Sequence, residues 1–337
     1  MRGYRWISVL ILVACSALAE EPVDWSVVSE IKEEGFNNSH VMATMFYLTD
    51  VHGPRLTNSP NYQAASEWCV KQLTDWGLVN AKREAWGGFG RGWAVERFSI
   101  EMLEPQYLNL IAYPKAWTPG TPGTISGQPI LLDLKSADDF SRYEGKLQGA
   151  IVMLKPTRTV AKHFTADAKR HTDEDLAELA RAPEPGARSA RAARIQEFRK
   201  RRAFNRKIQQ FFRQEGVAVV LEASRREQGT ITVSRGGDFK IGSKEVPPSL
   251  TVAIEHYSRI TRMLEKDIPV KLEISVKTRF FEEDSLGYNV VAEIAGTDRK
   301  LKDELVMLGG HLDSWHSGTG ATDNAAGCAV AMEAVRI

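Results

Sequence analysis

The sequence predicts an α/β fold in which helices cover both faces of a sheet. Short apolar runs of strand length alternate along the chain with segments whose apolar residues recur every three or four positions. One apolar run, residues 305–308, is followed by His311 and Asp313, and a second aspartate, Asp323, follows a glycine-containing loop. In open α/β sheets, ligand-binding side chains gather beyond the carboxyl ends of the strands. The sequence therefore places a candidate site near residue 311.

The elements before residue 113 begin with a predicted helix at 41–48. Ser59 and Pro60 then suit the N-cap and the first position of a second helix. Its apolar residues recur at three and four positions, and Gly77 is predicted to end it. Alternating polar and apolar residues predict strands at 93–100 and 108–112.

A segment rich in proline and glycine, residues 113–127, separates this part from the next. Short apolar runs after it predict a second group of strands, at 129–132, 150–154, 217–221, 248–252, 270–276, 289–294 and 305–308. Residues 157–213 between them are polar, helical in pattern and strongly basic. A helix is predicted at 255–264, and a last helix is predicted from Asp323 onward.

Length and charge limit the class of protein. The 337 residues suffice to bury a large core and to form more than one domain. The net charge of +1 gives no sign of a nucleic-acid partner. Acidic residues lie within and before the basic stretch at 188–213 and offset part of its charge. We therefore interpret this region as a solvated amphipathic helix pair. Attraction to an anionic membrane or to acidic substrates is the alternative.

The first 19 residues are typical of an export signal. Two arginines precede an apolar run at 6–18, and a small-x-small cleavage site ends at Ala19. The run is shorter than the about 20 residues that span a membrane. A second interpretation stays open, in which Cys15 is lipidated as in a bacterial lipoprotein. Both predict an exported protein, periplasmic or extracellular, and only the second predicts a membrane anchor. The other cysteines, Cys69 and Cys328, lie in helical patterns and are predicted to be buried free thiols.

The residues around His311 favour a metal site. Residues i and i+2 of an extended segment point to the same side, so His311 and Asp313 face one crevice. A metal-binding imidazole commonly donates its other N–H to a carboxylate, and Asp313 is placed for that role. Asp323 can reach two cations from the start of a helix. A His-x-Asp pair by itself is more often a simple hydrogen bond, and an aspartate in a loop more often caps a helix. The pair together with the second aspartate, the glycines of the loop and the preceding apolar run favours a metal site.

The same residues resemble a known family. The sequence from Gly309 to Trp315, followed by Gly320 to Gly327, resembles the first half of the active site of metallopeptidase family 28, whose members are aminopeptidases and carboxypeptidases with two zinc ions. The stretches at 288–297 and 53–60 resemble the strand and the helix pair that precede that motif. Within the family, the chain is most similar to the carboxypeptidase Q-like branch.

The resemblance implies roles for three residues. His311 would ligate one zinc ion, Asp323 would bridge two, and Asp313 would be the catalytic carboxylate that supports His311. Cobalt or manganese could replace zinc in such a site. The implied function is a zinc-dependent exopeptidase that hydrolyses peptides or dipeptides with a water activated by two metal ions. The family also requires a glutamate base and further ligands downstream, so we expect the chain to be C-terminally truncated and inactive as written.

The resemblance also divides the chain. We expect a signal peptide at 1–19, the first part of the zinc peptidase domain at 20–119, an inserted α+β protease-associated (PA) domain at 120–267, and the peptidase core at 268–337. His316, in the loop after the motif, is expected to be exposed to solvent, with a place in the lining of the substrate pocket as the alternative. Two other functions stay open: a non-catalytic binding protein built on the PA domain, and a glutaminyl cyclase-like acyltransferase of the same fold.

Overall fold

The structure is a computed structural model that describes residues 23–155, 158–166, 168–181 and 188–337. The predicted export signal at 1–19, including Cys15, lies outside the described residues. No helix within the described ranges is both long and apolar enough to cross a membrane. Helices and three sheets combine in one chain, which confirms the predicted α/β class.

Three helices precede the first strand. They are α1 (Trp25–Asn37), α2 (Val41–Phe46), which continues into a π-helical turn (Tyr47–Val51), and α3 (Pro60–Asp75). The predicted start of α3 is confirmed, because the Ser59 hydroxyl accepts a hydrogen bond from the Tyr62 N–H at 3.2 Å. The buried face of α3 packs against the π-helical turn and the last helix of the chain.

Eleven strands are present in the described residues. Their bounds are β1 (Val79–Gly88), β2 (Gly92–Glu104), β3 (Leu108–Asn109), β4 (Ala112–Pro114), β5 (Thr124–Gly127), β6 (Ile130–Asp133), β7 (Ile151–Lys155), β8 (Val219–Ala223), β9 (Ser249–Val252), β10 (Lys271–Phe281) and β11 (Leu286–Glu293). Strands β1 and β11 form an antiparallel pair, and a second antiparallel sheet has the order β3-β2-β10-β5. The third sheet has the order β4-β9-β8-β7-β6; its strands β6 to β9 are parallel, and β4 is antiparallel at one edge.

The second and third sheets share the largest core of the molecule. Side chains of β2 and β10 pack there against β7, β8 and β9 and against helix α6 (Ile254–Leu264). This core therefore combines residues from before position 120, from between 120 and 267, and from after 267. Positions 120 and 267 are the predicted bounds of the inserted domain. The polar, basic segment forms two helices, α4 (Asp173–Ala180) and α5 (Arg188–Gln214). The second half of α5 is packed through Phe204, Ile208, Phe211 and Phe212, while residues 194–202 are exposed.

The prediction of a strand at residues 305–308 is wrong. These residues form no strand, and their side chains are between 51% and 91% exposed. The physical reason is that a strand is completed by a neighbouring strand, and no described residue offers its backbone as a partner to this run. An apolar run is therefore necessary for a buried strand but does not create one.

The last helix begins later than predicted. Helix α7 (Ala326–Arg336) is preceded by a turn at Ala321–Ala325, and Asp323 in that turn has non-helical angles, with φ −122° and ψ 90°. Its carboxylate is thus carried by a turn that leads into the helix, not by the helix. Cys328 and Met332 are buried against α3, as the helical spacing predicts.

Two further differences concern strands. The predicted strand at 108–112 is interrupted, because β3 pairs with β2 while β4 pairs with β9 in another sheet. Strand β1 was not predicted from the sequence. Its residues are mostly polar and exposed, so they lack the alternation that indicates a half-buried strand.

Candidate metal centre

His311 lies between two carboxylates. Its Nδ1 is 3.1 Å from Asp313 Oδ1, and its Nε2 is 2.9 Å from Asp323 Oδ1. The side chain of His311 is 56% exposed, so the group is open to solvent. The peptide bond between Asp323 and Asn324 is cis. The structure thus brings together all three residues that the sequence singles out.

Asp313 has a second partner on its other oxygen. The Thr57 hydroxyl donates to Asp313 Oδ2 at 2.5 Å. Thr57 belongs to the segment between the π-helical turn and α3, 256 residues away along the chain. Both oxygens of this carboxylate are therefore occupied by protein groups, which leaves Asp313 facing the imidazole and not the open side of the site. Nothing in the stretch at 53–60 indicated that Thr57 would contact Asp313.

Arg55 is a buried cation beside the site. Its guanidinium donates to the carbonyl oxygens of Leu312 at 2.8 Å, Thr319 at 2.8 Å and Gly320 at 3.2 Å, and also to that of Leu48. Burial lowers the pKa of Arg55, because the charged form loses its hydration. Its side chain joins both ends of the loop that separates Asp313 from Asp323. The sequence around Arg55 does not indicate that this arginine is buried. Its contacts with residues 312, 319 and 320 were therefore not predicted.

Two further hydrogen bonds connect Arg55 with Ser314, the residue that follows Asp313. The Arg55 N–H donates to the Ser314 hydroxyl at 3.0 Å, and the Ser314 N–H donates to the Arg55 carbonyl at 2.9 Å. Gly320 has φ +68°, and a Cβ there would lie 2.3 Å from Ser314 Cβ. A glycine is thus required where the loop turns back toward the site.

The prediction of two buried free thiols is confirmed. Cys69 and Cys328 are both buried and not bonded to each other. Burial raises the pKa of Cys69 to about 12 and that of Cys328 to about 11. Both are therefore protonated at neutral pH, and the Cys328 thiol donates to the His311 carbonyl oxygen at 3.3 Å. Neither is a thiolate ligand in this arrangement.

His316 is buried, contrary to the expectation of an exposed loop residue. Only 4% of its surface is exposed. Its Nε2 lies 2.7 Å from the Pro114 carbonyl oxygen, and its ring packs edge-on to Trp93 with centroids 5.1 Å apart. Burial lowers the pKa of His316 to about 4. The imidazole is thus neutral at pH 7, with Nε2–H donating to Pro114, and it connects the loop at the site with strand β4.

The donor atoms at the site fit zinc, although they do not complete its coordination. An imidazole nitrogen and a carboxylate oxygen are both common zinc ligands. Asp313 holds Nδ1 of His311, so Nε2 is the nitrogen left beside Asp323. The described residues contain no group of three or more His, Cys, Asp or Glu side chains arranged to hold a metal ion. His311 Nε2 and Asp323 Oδ1 are thus two adjacent donor atoms of the kinds that zinc accepts.

Comparison with known proteins agrees with this arrangement. The model of peptidase family M28 matches residues 289–337, the segment that carries all three site residues. Carboxypeptidase Q of Homo sapiens is 22% identical over 331 residues, which cover 97% of this chain and 59% of the relative. Carboxypeptidase Q of Pongo abelii is 24% identical over 295 residues, which cover 86% of this chain and 52% of the relative. This chain thus spans little more than half the length of these two relatives.

Among solved structures, the peptidase M28 precursor of Shewanella amazonensis SB2B has a similar fold. It superimposes with a TM-score of 0.55 at 21% identity, covering 92% of this chain and 62% of that chain. The family model, the relatives and the fold thus agree in what this chain is similar to: its last 49 residues match peptidase family M28, and its fold is that of an M28 peptidase precursor.

Proposed function

We propose that the protein acts as a zinc-dependent exopeptidase on peptides or dipeptides. One observation carries the proposal: His311 has Asp313 at Nδ1 and Asp323 at Nε2, within the segment that matches the peptidase family. This places a nitrogen donor and a carboxylate side by side at an exposed position. The names of the relatives support a carboxypeptidase, while the family resemblance leaves an aminopeptidase equally open.

Each of the three residues has a distinct role in this proposal. His311 would hold zinc through Nε2, and Asp323 would hold it through its carboxylate. Asp313 accepts the Nδ1–H of His311, which fixes the tautomer and makes Nε2 the better donor. When bound, zinc supplies a Lewis acid that polarises the peptide carbonyl. The chain's own contribution is to hold the two donors at a fixed spacing.

The 337-residue polypeptide is proposed to be inactive by itself. Hydrolysis needs a base to accept a proton from water. Asp313 is assigned to the support of His311, since its two oxygens accept from Thr57 and face His311 Nδ1. The described residues also lack a group of three or more donors that could hold a metal ion. A dipeptide assay of this polypeptide with added zinc should show no turnover, and clear turnover would refute this part of the proposal.

The export of the protein and its domain division are further parts of the proposal. The first 19 residues support export to the periplasm or the outside of the cell, with lipidation of Cys15 as the second route. A PA domain at 120–267 is supported by the parallel strands β6 to β9 and the helices between them. Such a domain would shape access of substrates or contact partners without taking part in the chemistry.

Zinc binding by the 337-residue chain tests the assignment of the ligands. We expect calorimetry to detect weak zinc binding to the unchanged chain, as two protein donors allow, and its loss in His311→Ala. Asp323→Asn should weaken binding at least about tenfold, because an amide oxygen is a poorer ligand than a carboxylate. His171→Ala, the same change at an exposed histidine in another part of the chain, is the matched control. If His311→Ala binds zinc as well as His171→Ala does, the ligand assignment is wrong.

The binding-protein alternative predicts a different result. A PA-domain binding protein without catalytic zinc would show no zinc binding that depends on His311 or Asp323. The cyclase-like alternative is distinguished on the full-length protein, which would then cyclise N-terminal glutamine and leave dipeptides intact. Release of amino acids from dipeptides by the full-length protein would support the peptidase.

A further inference from the structure

We propose that Thr57 is a positioning residue of the metal centre, which holds Asp313 and through it His311, on a segment that Arg55 fixes to the site. The inference rests on the proposed function, because the ligand that Thr57 positions is the proposed zinc ligand. Neither residue touches the metal in this assignment. Their contribution is the orientation of the donors.

The first step is the chain of hydrogen bonds from Thr57 to His311. The Thr57 hydroxyl donates to Asp313 Oδ2 at 2.5 Å, and His311 Nδ1 lies 3.1 Å both from Asp313 Oδ1 and from the Asp313 carbonyl oxygen. A carboxylate held by one oxygen can still rotate about its own axis. Because a different group holds each oxygen here, the plane of the carboxylate is fixed. The imidazole that donates to it is then fixed as well, with Nε2 directed at Asp323.

The second step concerns what holds Thr57 itself. Arg55, two residues earlier, exchanges two hydrogen bonds with Ser314, which directly follows Asp313. One bond goes to the Ser314 side chain and the other comes from its backbone N–H, so residue 55 is held beside residue 314. This contact brings Thr57 within reach of Asp313, and the hydrogen bond to Asp313 Oδ2 then orients its hydroxyl.

The third step concerns the distance between the two proposed ligands. Arg55 donates to the Leu312 carbonyl on one side of the loop and to the Thr319 and Gly320 carbonyls on the other. Every acceptor of this guanidinium among the described residues is a backbone oxygen. A buried cation with such partners joins the two ends of the loop. It thereby sets how far His311 lies from Asp323.

Thr57 offers a clean test because valine has nearly the same shape without the hydroxyl. We expect Thr57→Val to weaken zinc binding about tenfold, as removal of outer partners of metal-binding histidines commonly does. Thr57→Ser keeps the hydroxyl and should bind zinc within about twofold of the unchanged chain. Thr74→Val is the matched control. It removes a threonine hydroxyl that bonds the Val70 carbonyl on an exposed face of α3.

Three measurements on the 337-residue chain are needed for each variant. Zinc affinity is obtained by competition with a chelator, and the absorption spectrum of the cobalt-substituted chain reports the geometry of the ligands. The melting temperature of the metal-free chain reports the fold. A purely structural role of Thr57 would lower the melting temperature without changing zinc affinity or the cobalt spectrum. A positioning role changes the affinity and the spectrum.

The outcomes separate this inference from the proposed function. If the unchanged chain binds zinc and Thr57→Val binds it equally well, the positioning role is overturned while the zinc site stands. The same conclusion follows if Thr57→Ser is as weak as Thr57→Val, because the hydroxyl is then not the cause. If the unchanged chain binds no zinc, the proposed site fails and this inference fails with it. Should Thr57→Val not melt cooperatively, Thr57→Ala takes its place with the same expected loss.

Discussion

At the scale of single residues, burial decides the charge of His316. The imidazole is packed among Trp93, Tyr113 and the Pro114 carbonyl, where a proton on both nitrogens would leave a charge without water. Its Nδ1 has no hydrogen-bond partner among the described residues. The folded protein therefore keeps this ring neutral down to a pH of about 4. The unfolded chain protonates it near the ordinary pKa of about 6.5.

This difference predicts how stability depends on pH. Below about pH 6.5 the unfolded state binds a proton that the folded state does not, so the free energy of unfolding falls as the pH falls. Between pH 7.5 and pH 5 the loss from His316 should be about 2 kcal/mol. His316→Phe should remove this loss, and urea unfolding at both pH values measures it. His171→Phe, at an exposed histidine, should retain it; an unchanged loss in His316→Phe would contradict the prediction.

Arg55 is the residue whose removal should cost the most stability. Arg55→Met leaves four buried or half-buried carbonyl oxygens without their donor, namely those of Leu48, Leu312, Thr319 and Gly320. Because each unpaired acceptor costs about 1–3 kcal/mol, the free energy of unfolding should fall by about 3 kcal/mol or more. Urea unfolding measures the change. Arg97→Met, at an exposed arginine on β2, should change it by less than about 0.5 kcal/mol.

At the scale of elements, helix α3 shows a boundary that local chemistry determines. Ser59 caps the helix and Pro60 opens it, and both were predicted from the sequence. Ser59→Ala should lower the free energy of unfolding by about 1 kcal/mol, because the Tyr62 N–H loses its acceptor. Ser59→Asp should retain most of the stability. Thermal unfolding of the two variants distinguishes them, and equal losses would show that the cap contributes nothing.

Strands were predictable only where a partner strand is present. Strands β6, β7, β8 and β9 lie within two residues of their predicted bounds, since short apolar runs that pair with each other are buried. Residues 305–308 have the same composition but no partner in the described chain, and they form no strand. Pairing is a property of the whole fold, so a single run cannot reveal it.

Some residues of the candidate site could be predicted from the local sequence, and others could not. His311, Asp313 and Asp323 lie close together along the chain, and their spacing was enough to expect them at one place. Thr57 contacts Asp313 from a position 256 residues away. The burial of Arg55 and His316 likewise depends on segments that meet only in the folded chain. The types of residue around His311 were therefore enough to predict the three central residues of the site. The residues that contact them from distant parts of the chain could not be predicted.

At the scale of the whole molecule, distant segments are tied together at several points. Arg336 in the last helix forms an ion pair with Glu34 of α1 at 2.7 Å, and the Glu333 carboxylate accepts the His40 N–H at 2.9 Å. Strand β10 pairs with β2 across about half of the chain. The first and last helices of the described chain, and two strands far apart in sequence, are thus joined by long-range contacts.

At this scale, we expect the apolar run at residues 305–308 to promote self-association of the 337-residue chain. Four consecutive apolar side chains are exposed, Val306 by 91%, and their backbone groups have no partner within the described chain. Such a run is able to pair with the same run of a second molecule. A net charge of only +1 gives little repulsion between molecules to oppose this contact.

We therefore expect the 337-residue chain to associate in a concentration-dependent way, and Val306→Lys to shift it toward the monomer. A lysine at this position introduces a charge that would have to be buried when two runs pair, and like charges would then face each other. Sedimentation velocity measures the distribution of species. Val330→Lys is the matched control, because it makes the same change at another exposed valine, 59% exposed, on helix α7. If both variants reduce association equally, added net charge is the cause, and the run at 305–308 is not the contact.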